Sequence, residues 1–225
     1  MKAPHLKICP RSSSFSLRNR IHLAVCGAPG IGKSTLIQTI SSRISAAIYL
    51  ENPQDYPLIP DALCDPKRWS FQNQVQFLVT KVKHQIEMMR YDGLIIQEMD
   101  ASATHEIWTP TLRTLNWITS DEEKIINELF SIIHLSDALS PPTHYVILAG
   151  SVETLKERVQ ARGVSIEVTS PFFLQLLTEL ECQIIPFAKQ LSVPHLIINA
   201  DKLRLTKEGN FPSRLVDKVL AFLSE

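Results

Sequence analysis

Five short apolar runs punctuate the chain, at residues 21–26, 47–50, 94–97, 145–149 and 196–199. Each is close to continuously hydrophobic rather than alternating, which is the pattern of strands covered on both faces. Helical patterns separate them. Leu36, Ile37, Ile40 and Ile44 recur at helical spacing after the first run, and Val75, Leu78, Val82, Ile86 and Met89 fall on one stripe before the third. Ser120-x-x-Glu123 reads as a capping box ahead of Ile125, Ile126, Leu129, Phe130 and Ile133. Ser151 reads as the cap of a helix through Leu155 and Val159. Ser170-Pro171 supplies a cap and a first-turn proline for Phe172, Phe173, Leu176, Leu177 and Leu180, and a last helix spans roughly 213–223. The alternation predicts an α/β fold, a five-stranded parallel sheet with helices on both faces. Residues 53–66 hold four prolines, which excludes a regular helix or an inner strand there and predicts a long functional loop.

At 225 residues, with no repeat or low-complexity tract, the expectation is a single domain over 21–225. Residues 1–20 differ: five Lys or Arg, three consecutive serines and no acid read as a basic disordered tail, with an organelle-targeting peptide as the alternative. Lys+Arg and Asp+Glu both number 23, so no net field draws the chain to nucleic acid or to an anionic membrane. No apolar run reaches the ~20 residues of a membrane span. Cys9, Cys26, Cys64 and Cys182 are scattered, as in a cytoplasmic protein with reduced thiols, and show no disulfide or zinc spacing.

Chemistry enters with Gly27-Ala28-Pro29-Gly30-Ile31-Gly32-Lys33-Ser34, followed by Thr35, which fits G-x-x-x-x-G-K-[ST] at every fixed position. It sits between a strand pattern and a helix pattern, the context in which such a loop binds a nucleoside triphosphate. Glycines let backbone N–H groups close around phosphate oxygens at a helix N-terminus, the lysine neutralises the terminal phosphates, and the serine hydroxyl ligates Mg²⁺. The groups expected at this loop are therefore a nucleoside triphosphate and Mg²⁺. Asn199-Ala200-Asp201-Lys202 departs from the N-K-x-D motif of guanine readers, which argues against a GTPase.

Four further places carry candidate functional residues. Glu51 follows the second strand, where ligands of parallel sheets gather; a solvated acid is the plain alternative. Glu98 ends the third strand, where an acid can hold Mg²⁺ or an attacking group, while Asp100 starts the next turn. Trp69, Phe71 and Gln74 offer aromatic faces and an amide suited to a nucleobase, with core packing as the alternative for the rings. Arg158 and Arg162, four apart and followed by Gly163, suit a lid that brings guanidinium groups to a transferring phosphate, or equally a surface helix closed by a capping glycine.

Taken together, these residues resemble the deoxynucleoside kinases, particularly the bacterial deoxyadenosine and deoxyguanosine kinase branch, over nearly the whole chain from Ile21. The most specific stretch is residues 58–74, Leu-Ile-Pro-Asp-Ala-Leu-Cys-Asp-Pro-Lys-Arg-Trp-Ser-Phe-Gln-Asn-Gln. The resemblance implies a P-loop NTPase fold and γ-phosphoryl transfer from ATP to the 5′-hydroxyl of a (deoxy)nucleoside. It makes Glu51 the base, Gln74 and Trp69 the nucleobase contacts, and Glu98 the first residue of a Glu-Arg-Ser motif. It also makes Arg158 and Arg162 lid arginines, and Glu167 the acid near the sugar 3′-hydroxyl. It further implies a homodimer packed through helices that flank the substrate helix. The chain departs from the pattern at Met99 (arginine in the family), Thr104 (aspartate), Lys81 (the arginine partner of that aspartate), Leu63 (tyrosine) and Val164 (arginine). These departures fall in the acceptor half. They leave open a degenerate kinase that binds nucleotide as a non-catalytic or regulatory subunit, and a kinase whose acceptor is a nucleoside monophosphate held by Lys67, Arg68 and Arg113.

Overall fold

A computed structural model describes residues 20–135, 141–163, 170–204, 206 and 210–224. Strands β1 (Ile21–Cys26), β2 (Ala47–Tyr49), β3 (Leu94–Glu98), β4 (His144–Ala149) and β5 (His195–Asn199) form one parallel sheet in the order β2-β3-β1-β4-β5. Leu23 pairs with Ile96 on one side and His144 on the other, so β1 is the central strand. All six of its residues are buried, as the continuous apolar run requires. Helices α1 (Lys33–Ser41), α2 (Ile59–Cys64), α3 (Pro66–Met88), α4 (Ala101–Ala103), α5 (Thr109–Thr114), α6 (Ser120–Leu135), α7 (Val152–Arg162), α8 (Pro171–Gln190) and α9 (Ser213–Phe222) are the described α-helices. A single turn of π-helix, Thr104–Trp108, joins α4 to α5.

The run at 196–199 forms an edge strand rather than one covered on both faces. In β5 only Ile198 is buried, and Ile197 is 42% exposed. The proline-rich stretch is also more ordered than a loop. Pro60 stands at the start of α2 and Pro66 at the start of α3, first-turn positions where the missing N–H is no loss. The capping box of α6 lies one residue earlier than its sequence pattern suggests. Thr119 Oγ1 accepts from the Glu122 N–H at 3.2 Å, and the Glu122 carboxylate accepts from the Thr119 N–H at 2.7 Å. Ser151 and Ser170 cap α7 and α8, as their sequence positions imply.

Helix α3 inverts the ordinary amphipathic rule. The face it buries includes Ser70, Gln74, Lys81, His84 and Gln85 beside Phe77, Leu78 and Met88, whereas Val79, Ile86 and Met89 are exposed. The apolar stripe is therefore split: Leu78 is fully buried, Val75 and Val82 are half-buried, and Ile86 and Met89 face outward, while the inner face of α3 also carries polar groups toward the site. Among the described residues, no helix is long and apolar enough to cross a membrane. Of the tail expected at 1–20, only Arg20 is described; it donates to the Met88 carbonyl at 2.7 Å.

Candidate active site

The phosphate loop runs from β1 into α1. Gly27 has φ +149, and a Cβ there would lie 2.5 Å from the Leu148 carbonyl oxygen, so β4 passes too close for any side chain. Gly32 has φ +109, a left-handed conformation directly before α1. The loop is thereby free to turn backbone N–H groups inward, and it opens into a cavity of about 670 Å³ lined by Pro29, Gly30, Gly32, Lys33, Ser34 and Thr35. Ala28 and Ile31 are buried beneath it. The Lys33 ammonium lies 3.3 Å from the Ala28 carbonyl, to which it donates, and 3.7 Å from Glu98 Oε1.

Adjacent strand ends then bring two carboxylates together. The Ser34 hydroxyl contacts both oxygens of Glu98, at 2.9 and 3.0 Å, and the Glu51 N–H donates to Glu98 Oε2 at 3.3 Å. Burial raises the pKa of Glu98; Lys33 pulls it down, and the nearby Glu51 carboxylate pushes it up further. A serine hydroxyl beside a carboxylate is a hard-oxygen pair of the kind that binds Mg²⁺ together with substrate phosphates. Among the described residues, no cluster of three His, Cys, Asp or Glu side chains is arranged to hold a metal alone. Asp100 is fully buried and structural: it accepts from the Ser102 and Ala103 N–H groups and from the Tyr145 hydroxyl.

The rest of the cavity is built from aromatic rings and one amide. Tyr56 stacks on Phe77 with centroids 4.0 Å apart, and Phe77 on Trp108 at 5.9 Å. Leu63, Leu112, Trp117, Phe173 and Leu176 continue the wall. Gln74 is buried, and its Nε2 donates to the Thr104 carbonyl at 3.0 Å and the Thr109 hydroxyl at 3.1 Å. Its amide carbonyl is left for the cavity, which Gln74 also lines. The Tyr56 hydroxyl and Asn73 Oδ1, both on cavity-lining residues, are buried with no protein partner. Such orphans fit a polar ligand that completes them.

Not every residue singled out in the sequence reaches this cavity. Trp69 lies outside its lining and carries the Arg68 guanidinium 5.2 Å from its ring centroid. Thr104 contributes its carbonyl to Gln74 rather than a side-chain contact. Lys81 turns away from Thr104 and pairs with Glu51 at 2.9 Å. Arg162 lines the cavity; Arg158 lines it too, but its guanidinium donates to the carbonyls of Ile31, Ala200 and Leu203. Burial lowers the pKa of Arg158, as does the neighbouring Arg204 charge. Gly163 closes α7 at φ 69, so the capping reading of that glycine holds. Lys67, Arg68 and Arg113 form no cluster at the cavity, and Arg113 pairs with Glu123 at 3.3 Å. Glu167 and Val164 lie outside the described residues. Sequence spacing carries no sign of Tyr56, Trp108, Trp117, Phe173 or Phe211, which come from separate elements and meet only in the folded chain.

Residues 23–224 match the family model for deoxynucleoside kinase. The chain belongs to the deoxynucleoside kinase family. Among relatives of this family, a deoxyadenosine/deoxycytidine kinase of Bacillus subtilis is 22% identical over 205 residues, covering 90% of this chain and 93% of that protein. A deoxyguanosine kinase of the same organism is 27% identical over 167 residues, covering 72% and 77%. The fold superposes on a deoxyadenosine kinase from M. mycoides solved with dATP, with a TM-score of 0.76, 20% identity and coverage of 90% and 99%. The same kinase solved with dCTP superposes with a TM-score of 0.75. The α/β P-loop kinase fold, expected from the strand pattern and the family resemblance together, is therefore the observed one. Within this deoxynucleoside kinase framework the position after Glu98 is Met99, buried and neutral at φ 48, a conformation unusual for a long side chain.

Proposed function

We propose that this chain transfers the γ-phosphoryl group of ATP to the 5′-hydroxyl of a deoxynucleoside, with Glu51 as the base. The observation that carries this reading is the convergence of Lys33, Ser34, Glu51 and Glu98 at one end of a cavity whose other end is aromatic. Catalysis of this kind is mostly positioning and charge neutralisation. The loop N–H groups and Lys33 hold the triphosphate, while Ser34 and Glu98 hold Mg²⁺. When bound, the ion offsets negative charge on the transferring phosphate. The stacked rings of Tyr56, Phe77 and Trp108 take the base plane, and the Gln74 carbonyl accepts from an N–H on its edge. Glu51 then accepts the proton of the sugar hydroxyl as the oxygen attacks phosphorus. Arg162, which lines the cavity, offsets charge on the phosphates in this reading.

The test is turnover by wild type and Glu51→Gln on the four deoxynucleosides with ATP and Mg²⁺. Wild-type turnover on at least one, lowered by about 10²–10⁴-fold in the variant, is expected. Absence of wild-type turnover on all four refutes the proposal.

The same reading includes a homodimer. Val79 and Ile86 on α3, Met89 at its C-terminal cap, and Ile125 and Ile132 on α6 leave apolar surface exposed on two helices that pack together. A second copy of this chain, laying the same two helices across a two-fold axis, removes that surface from water.

A further inference from the structure

Lys81 is fully buried on the inner face of α3. Its ammonium donates to the Glu98 carbonyl at 2.6 Å and lies 2.9 Å from Glu51 Oε1. A buried ammonium is costly unless it is paired and hydrogen-bonded, and both requirements are met here by groups at two adjacent strand ends. Other cations nearby are committed elsewhere or absent. Lys33 faces the Ala28 carbonyl and Glu98, and Met99 supplies no charge. Among the described residues, Lys81 is the one cation paired with Glu51. Glu51 is thus gripped twice, its main-chain N–H by the Glu98 carboxylate and one side-chain oxygen by Lys81. Glu51 itself lines the cavity.

We propose that Lys81 is a positioning residue for phosphoryl transfer: anchored on the Glu98 carbonyl, it holds one oxygen of Glu51 and leaves the other turned to the cavity to accept the sugar hydroxyl proton. The inference rests on the reading of Glu51 as the base. A lysine reaching from the substrate helix thereby does for Glu51 what no residue at the end of β3 does in this chain. Lys81 lies outside the cavity lining, so its removal acts through the groups it contacts, the Glu51 carboxylate and the Glu98 carbonyl.

The experiment compares wild type, Glu51→Gln, Lys81→Met, Lys81→Gln and the Glu51→Gln/Lys81→Met double variant, all as the full chain. Steady-state rates use ATP, Mg²⁺ and whichever of the four deoxynucleosides turns over fastest, and ATP affinity is measured by calorimetry. Lys81→Met is expected to lower kcat by about 10²-fold. The nucleoside KM and the ATP Kd are expected to stay within about threefold of wild type. The double variant is expected to match Glu51→Gln within about threefold, because two residues acting as one unit are not additive. Lys81→Gln, which keeps a donor for the Glu98 carbonyl but no charge, is expected to behave as Lys81→Met does and carries the comparison if the methionine variant does not fold. Loss of activity in Glu51→Gln with kcat near wild type in either Lys81 variant overturns the role of Lys81 alone. Multiplicative losses in the double variant, or a loss that falls on ATP affinity, overturn it too. A Glu51→Gln variant as active as wild type overturns the base assignment and the inference with it.

Discussion

Replacing Gln74 by glutamate tests how the amide is held. Its Nε2 donates to the Thr104 carbonyl at 3.0 Å and the Thr109 hydroxyl at 3.1 Å, and the side chain is buried. A carbonyl oxygen only accepts, so the amide cannot turn over. The Gln74→Glu change puts an acceptor against that acceptor. The bond to the Thr104 carbonyl is lost at about 1 kcal/mol, the Thr109 hydroxyl turns to donate to the carboxylate, and burying that carboxylate against the Thr104 carbonyl adds about 2 kcal/mol more before it takes up a proton. A destabilisation of about 3 kcal/mol at pH 8 corresponds to a Tm lower by about 6–12 °C for a chain of this size. The pH dependence gives the cause away. The folded state favours the neutral carboxyl, so its folded pKa lies above the unfolded value near 4.3; the variant is least affected below that pH and loses stability as pH rises. Gln74→Leu, which loses both hydrogen bonds and brings no charge, is expected to cost about 2 kcal/mol at every pH. Thermal melts followed by circular dichroism from pH 4 to 8 check this. A Tm difference between wild type and Gln74→Glu below about 2 °C at pH 8, or one that does not change with pH, refutes the placement of the amide.

Other perturbations probe separate features. Gly32→Ala places a Cβ 2.9 Å from the Phe211 ring tip in a left-handed backbone, and is expected to weaken ATP binding by at least about 10-fold in calorimetry. Burial, with the Lys81 charge second, lowers the His84 pKa to about 4. Between that value and the unfolded 6.5, the unfolded state binds more protons, so wild-type stability rises with pH at up to about 1.4 kcal/mol per unit from this group. Glu181, raised to about 7 by burial, slopes the other way above 4.5, so the His84 part is read as wild type minus His84→Leu in urea melts, and a flat difference contradicts it. Ile86→Asp combined with Ile132→Asp is expected to halve the mass seen by light scattering while keeping the melting transition; an unchanged mass rules out this dimer surface.

The sheet was legible because all five strands carry apolar runs, and the phosphate loop because its chemistry is local. Glu51 and Glu98 could be placed by their position at strand ends, and both meet at the site. The reading of α3 falls short for a physical reason. Apolar periodicity marks a face that avoids water, but it does not say whether the chain itself or another copy covers it, and here the polar stripe with Gln74, Lys81 and His84 is the inner one. The family resemblance puts Lys81 beside position 104. Its actual partner is set by the juxtaposition of β2 and β3, which no spacing within one helix reveals. The aromatic wall was hidden for the same reason: Tyr56, Phe77 and Trp108 belong to three segments with no shared period.

Arg158 gives the molecule an order of assembly. It bonds to Ile31, 127 residues before it, and to Ala200, 42 residues after it, so one guanidinium fastens the start of the fold to its last third. A chain emerging from the ribosome displays the whole phosphate-loop motif once Ser34 has been added. The strut behind that loop is complete only when the segment after β5 has docked. Contacts this distant in sequence form late, after local helices and turns. A fragment ending before Ala200 carries the whole motif but lacks the bond from Arg158 to the Ala200 carbonyl.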